Sequence, residues 1–162
     1  MEGGDATVAA ELSAVAATVA GHLLELSSEI WALLTHDIPE LRGDQILEKL
    51  LDASIGENVA TLLHVFEHGL VPDEMRAPPA AVEYARRLAQ RGVSTIALVR
   101  AYRVGHGRFL SRCVEQLASR TTDAALYAAV TLRLVDISFR YIDRVSEELI
   151  LVYQQERDRW LL

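Results

Sequence analysis

The chain has 162 residues, of which 51% are hydrophobic and 24% charged, and its formal net charge is −7. That is the size of one domain, and the composition excludes a disordered chain. The acidic balance argues against direct nucleic-acid binding, and the single cysteine, Cys113, excludes an intrachain disulfide or a thiolate metal cluster.

No basic segment followed by an apolar stretch opens the chain, and no apolar run approaches the roughly 20 residues of a bilayer span. The expected setting is the cytoplasm. Residues 1–5 read as a disordered lead, with Asp5 available as an N-cap. From Ala6 to Thr35 the apolar residues recur at three- and four-residue steps (Val8, Leu12, Val15, Val19, Leu23, Leu26, Ile30), which predicts a helix that Gly21 bends or divides. Pro39 ends it. Asp44 caps a second helix that runs to about Glu67, with Ile46, Leu47, Leu51, Ile55 and Val59 on its apolar face and Gly69 as its stop. Leu70–Pro78 is irregular. A third helix spans Pro79–Gln90, a fourth is capped by Ser94 and ends near Ser119, and a fifth starts at Thr122 or Asp123. The fifth has no Gly or Pro as far as Trp160. The expected fold is therefore all-α, a bundle of about five helices with a long C-terminal one, and residues 1–162 form a single domain.

His64 and His68 share a helix face, a spacing that zinc sites use, but Val65 stands where a zincin has its glutamate; a surface pair at a helix end is the expectation, with no metal. No nucleophile elbow, phosphate loop or close Cys–His pair is present, so neither catalysis nor a cofactor is expected. Gly105 and Gly107 sit inside the fourth helix, where glycine costs about 1 kcal/mol against alanine, which points to a close helix crossing.

The most distinctive polar group is Arg100, Tyr102, Arg103, His106, Arg108 and Arg112. Tyr102, Arg103 and His106 can share one face and are the candidate ligand-binding residues. Arg103 and His106 are expected to be buried. Two readings stand side by side: structural pairing with Glu83, Asp136 or Asp143, or a site for an anionic ligand or a partner's carboxylate. The charge is also split along the chain. Met1–Met75 holds fourteen acids against Arg42 and Lys49, and the remainder holds nine acids against fourteen arginines. Pairing between the halves is one reading; an anion site or a subunit contact is the other.

The last helix would be roughly 55 Å long, beyond the ~30 Å of a small domain. Its apolar stripe includes Ile137, Tyr141, Val145, Leu149 and Val152, which are expected to divide between the core and a homodimer interface. The charged run Gln154–Arg159 followed by Trp160, Leu161 and Leu162 reads as a chain interrupted where another domain would pack.

Three stretches carry a resemblance: Tyr84-Ala-Arg-Arg-Leu-Ala-Gln-Arg-Gly-Val93, Leu98-Val-Arg-Ala-Tyr-Arg-Val-Gly-His106, and Tyr141-Ile-Asp-Arg-Val-Ser-Glu-Glu continuing to Tyr153-Gln-Gln-Glu-Arg157. Together they resemble the RsbRD N-terminal type of sensor domain, found at the front of PucR/CdaR-like transcriptional regulators of actinobacteria and of RsbR-type stressosome proteins. The resemblance implies a globin-related helical fold without haem that forms dimers. It implies a non-catalytic sensory and dimerisation domain, responsive to an unknown small-molecule effector, with DNA contacted only through a C-terminal domain beyond residue 162. The alternatives are a scaffold domain of a stressosome-like assembly and a stand-alone small-molecule-binding module.

Overall fold

A computed structural model describes residues 2–161. Its order is α1 (Glu2–Ala20), α2 (Leu23–Asp37), a 3₁₀ turn (Pro39–Leu41), α3 (Gln45–His68), a second 3₁₀ turn (Pro72–Glu74), α4 (Pro79–Gln90), α5 (Thr95–Arg120) and α6 (Ala124–Leu161). No strand occurs among the described residues. The fold is an all-α bundle whose last helix, at 38 residues, spans about 57 Å.

Most helix ends follow from local chemistry. Asp44 Oδ1 accepts from Leu47 N at 2.9 Å, Ser94 Oγ from Ile96 N at 3.1 Å, and Asp123 Oδ1 from Ala125 N and Leu126 N at 3.0 and 3.2 Å. Each satisfies backbone donors that a first helical turn leaves open. Gly69 (φ +63°) and Gly92 (φ +70°) end or follow α3 and α4 in the left-handed region, which glycine enters without a side-chain penalty.

Two expectations change. The chain is helical from Glu2, so the lead is not disordered where it is described, and Asp5 lies inside α1 instead of capping it; Met1 falls outside the described residues. The buried face Leu12, Val15, Ala16 and Val19 anchors the helix, and extending it back by a turn adds hydrogen bonds with no new nucleation cost. The predicted first helix is also two helices, bent by 75° between α1 and α2, so the described residues form six helices rather than about five. At the break, Gly21 N–H is shared between the carbonyls of Ala17 and Thr18. A Cβ at Gly21 would sit 3.2 Å from Thr18 O, tight enough that a side chain there would press on the turn.

α1 packs on α3, α5 and α6; α2 packs on α3 and α5; α4 lies against α3 and α6. Their apolar faces meet in one core that includes Leu26, Leu41, Leu47, Leu88, Leu117 and Leu134. The charge split resolves into pairs between helices. Glu11 binds Arg120, Glu29 binds Arg108 and Arg112, Glu25 binds Arg112, Asp44 binds Arg91, and Asp73 binds Arg140. Every one joins an acid of the first half to an arginine of the second. The partners expected for the arginine cluster do not take that role: Glu83 pairs with Arg86 and Arg87 on its own helix, and Asp136 with Arg140 on its own.

No single helix among the described residues is long and apolar enough to cross a membrane.

Candidate functional site

Between α2, α3, α4, α5 and α6 lies a cavity of about 70 Å³. Its wall is mainly apolar, built from residues such as Ile30, Leu34, Leu62, Leu98 and Phe109, with Ser54, Asn58, Tyr102, Tyr141 and His106 among them. A largely apolar concavity with a few convergent polar groups is the usual form of a small-molecule site.

The polar groups form two short chains. Tyr141 Oη donates to Asn58 Oδ1 at 2.9 Å, and Asn58 Nδ2 donates to Tyr102 Oη at 3.0 Å and to the Ser54 carbonyl at 2.9 Å. This ties α6 to α3 and α3 to α5. Burial pushes both tyrosine hydroxyls above their usual range, and the charge of Glu148 adds to the effect. On the next turn of α5, His106 Nε2 lies 2.8 Å from Ser138 Oγ, whose own proton goes to the Val135 carbonyl at 3.2 Å. Ser138 therefore accepts from the histidine, which places the imidazole proton on Nε2. Burial lowers the His106 pKa and holds the ring neutral. The ring stands edge-on to Phe139.

Of the candidate ligand residues, Tyr102 and His106 line this cavity, as their four-residue spacing predicts. Arg103 does not. It is exposed on the outer face of α5, where an uncompensated guanidinium keeps its water. Arg100 is exposed too, and Arg108 and Arg112 reach α2 rather than the cavity. Sequence reasoning missed Asn58, Ser54 and Ser138. Asn58 carried a readable signal: it falls three residues after Ile55, in phase with the buried face of α3, where a polar side chain needs an internal partner.

Gly105 has Ile30 Cγ2 at 3.6 Å from the position of an added Cβ, an ordinary contact distance, and Gly107 faces open space. Neither glycine is required by a close helix crossing. His64 and His68 are both exposed, ring centroids 4.3 Å apart. Cys113 is fully buried, and desolvation pushes its thiol up to about 12, which makes it inert.

The α6 stripe is also reassigned. Tyr141, Val145 and Leu149 have no exposed surface at all, because α3, α4 and α5 cover that side of the helix. They belong to the subunit core and are not available to a partner. Ile137 and Val152 are half-buried. Three of the exposed apolar residues of α6 lie together on another face: Leu132 (70% exposed), Val135 (37%) and Phe139 (57%). Their three- and four-residue spacing makes a stripe of the kind that packs against another helix.

The C-terminal end of α6 is pinned down. Tyr153 Oη donates to the Val93 carbonyl, Arg157 Nη1 to the Ala89 carbonyl at 3.1 Å, and Gln90 Nε2 and Trp160 Nε1 both donate to Glu156 Oε1 at 3.0 Å. The charged run after Tyr153 thus holds the turn between α4 and α5 rather than trailing free.

The bundle thus encloses a mostly apolar cavity, with α6 among the helices that wall it. The chain belongs to the family of the RsbT co-antagonist protein rsbRD N-terminal domain, whose family model matches residues 24–162, from the start of α2 onward. Comparison with curated proteins and with solved structures gives no match.

Proposed function

We propose that this chain is the non-catalytic sensory and dimerisation domain of a PucR-like transcriptional regulator in the cytoplasm. In this reading a small-molecule effector enters the cavity, and α6 carries the response to a DNA-binding output elsewhere in the regulator. One observation carries the reading. His106 lies between the cavity and α6, hydrogen-bonded to Ser138 and packed on Phe139, which belongs to the exposed stripe. A ligand that moves the cavity wall therefore acts on the face that a second subunit would cover. The homodimer interface of this reading is Leu132, Val135 and Phe139, rather than the stripe expected from periodicity.

A second reading has support in the family's own description, which refers to an RsbT co-antagonist: a scaffold domain of a stressosome-like assembly. Sedimentation equilibrium separates the two. A dimer at tens of micromolar fits the regulator, a larger closed assembly fits the scaffold, and a monomer would remove the dimer from either.

A further inference from the structure

The exposed stripe of α6 has a neighbour on α5. At about 3.6 residues per turn, Leu132, Val135 and Phe139 fall in line with the half-buried Ile142 and Ser146, at alternating three- and four-residue steps. That is the spacing of a seam between paired helices. The adjoining strip of α5 holds Ile96, 69% exposed, the half-buried Val99 and Leu110, and Gly107, where an added Cβ meets nothing within 4 Å. The His106–Phe139 contact sets the two strips side by side, so α5 and α6 present one open two-helix face.

The charges on this face are sorted by helix. Arg100 and Arg103 of α5 and Asp143 and Glu147 of α6 are exposed, and none of the four joins an ion pair among the described residues. The other arginines of α5, Arg108, Arg112 and Arg120, are all paired within the subunit. Round α6, Asp143 and Glu147 lie between the stripe and the pair Arg140 and Arg144, which hold Asp73 and the Met75 carbonyl. They therefore edge the stripe on the side away from α5, and the stripe separates them from the arginines of their own subunit. Two contacts fix the heights: His106 with Ser138, and Val93 with Tyr153. The helices run antiparallel, so Arg103 is level with Ile142 and Asp143, and Arg100 lies between the levels of Asp143 and Glu147.

A two-fold axis parallel to the helices lays α5 of each subunit on α6 of the other at the same height. Arg100 and Arg103 then face the partner's Asp143 and the partner's Glu147, along both edges of the contact. An axis across the helices instead lays α6 on α6 and α5 on α5. That gathers acids on one edge and arginines on the other, and like charges repel across an interface.

Taking the dimer proposed above as the basis, we propose that a second copy of this chain covers the α5–α6 face so that the two α6 helices point the same way, a four-helix contact set in register by these charges. Sedimentation equilibrium of the full chain tests this, at low salt because exposed charges are screened. Asp143→Lys with Glu147→Lys, or Arg100→Glu with Arg103→Glu, should each weaken dimerisation by about tenfold or more, with helical circular dichroism unchanged. All four substitutions together exchange the signs and should return the dissociation constant to near that of the wild type. An unchanged dimer in both paired variants, or no recovery in the fourfold variant, would overturn the arrangement and leave a dimer of another geometry. A monomeric wild type would overturn both the arrangement and the dimer.

Discussion

His106 and Phe139 meet edge to face, with ring centroids 4.6 Å apart and planes at 81°. This is the preferred geometry of two aromatic rings, a positive edge against a negative face. It joins a residue of the cavity wall on α5 to an exposed residue of α6. The neighbouring Ser138 hydrogen bond needs a proton on Nε2, and burial of the ring favours an uncharged imidazole.

That dependence gives a pH prediction. The His106 pKa is lowered in the fold from its usual 6.5. Between the two values the unfolded chain binds the proton and the folded chain does not, so stability falls as pH falls. The contribution is intact above about pH 6.5 and is lost progressively below it until the folded-state value is passed. Melting temperatures from pH 8 down to pH 5 should show this decline, and His106→Gln should flatten the part of the slope just below 6.5. An unchanged slope in the variant would assign the decline to other groups.

Tyr141→Phe should destabilise by about 1–3 kcal/mol, because it leaves Asn58 Oδ1 without its donor. For a chain of this size each kcal/mol shifts the melting temperature by roughly 2–4 °C. Arg103→Ala, on the exposed face of α5, should stay within about 0.5 kcal/mol of the wild type. A large loss from Arg103→Ala would place that guanidinium in a buried pair after all.

The two apolar faces of α6 should respond differently to the same substitution. Leu132→Glu and Val135→Glu replace exposed side chains and should leave helical circular dichroism unchanged while shifting a dimer toward monomer in sedimentation. Val145→Glu buries a carboxylate at a fully enclosed position and should abolish cooperative folding. A folded Val145→Glu monomer would return that position to the interface.

Glycines offer a test of the helix interiors. An added Cβ meets nothing within 4 Å at Gly56 or Gly107, so Gly56→Ala and Gly107→Ala should each stabilise by about 0.5–1 kcal/mol. Gly69→Ala should destabilise by about 1 kcal/mol, since its φ of +63° disfavours any side chain despite the open space. Chemical denaturation of the three variants checks both signs.

Helix boundaries after α2 were legible in the sequence because the groups that set them act within one turn. Asp44, Ser94 and Asp123 cap the residues that immediately follow them, and Gly69 and Gly92 close the helices just before them; no distant partner is involved. The division of the first predicted helix at Gly21 was only half legible, since glycine permits a bend but the packing of α2 across α3 and α5 decides that it is used. The assignment of faces was the part that only the tertiary structure decided. Tyr102 and His106 reach the cavity while Arg103 between them points to water, and Tyr141, Val145 and Leu149 are enclosed while Leu132 and Phe139 are not. Periodicity shows that a helix has an apolar side, but a helix as long as α6 has room for two, and which one is covered depends on where its neighbours run. Ile46 makes the same point: periodicity puts it with Leu47 on the apolar face of α3, yet it is 69% exposed while Leu47 is buried.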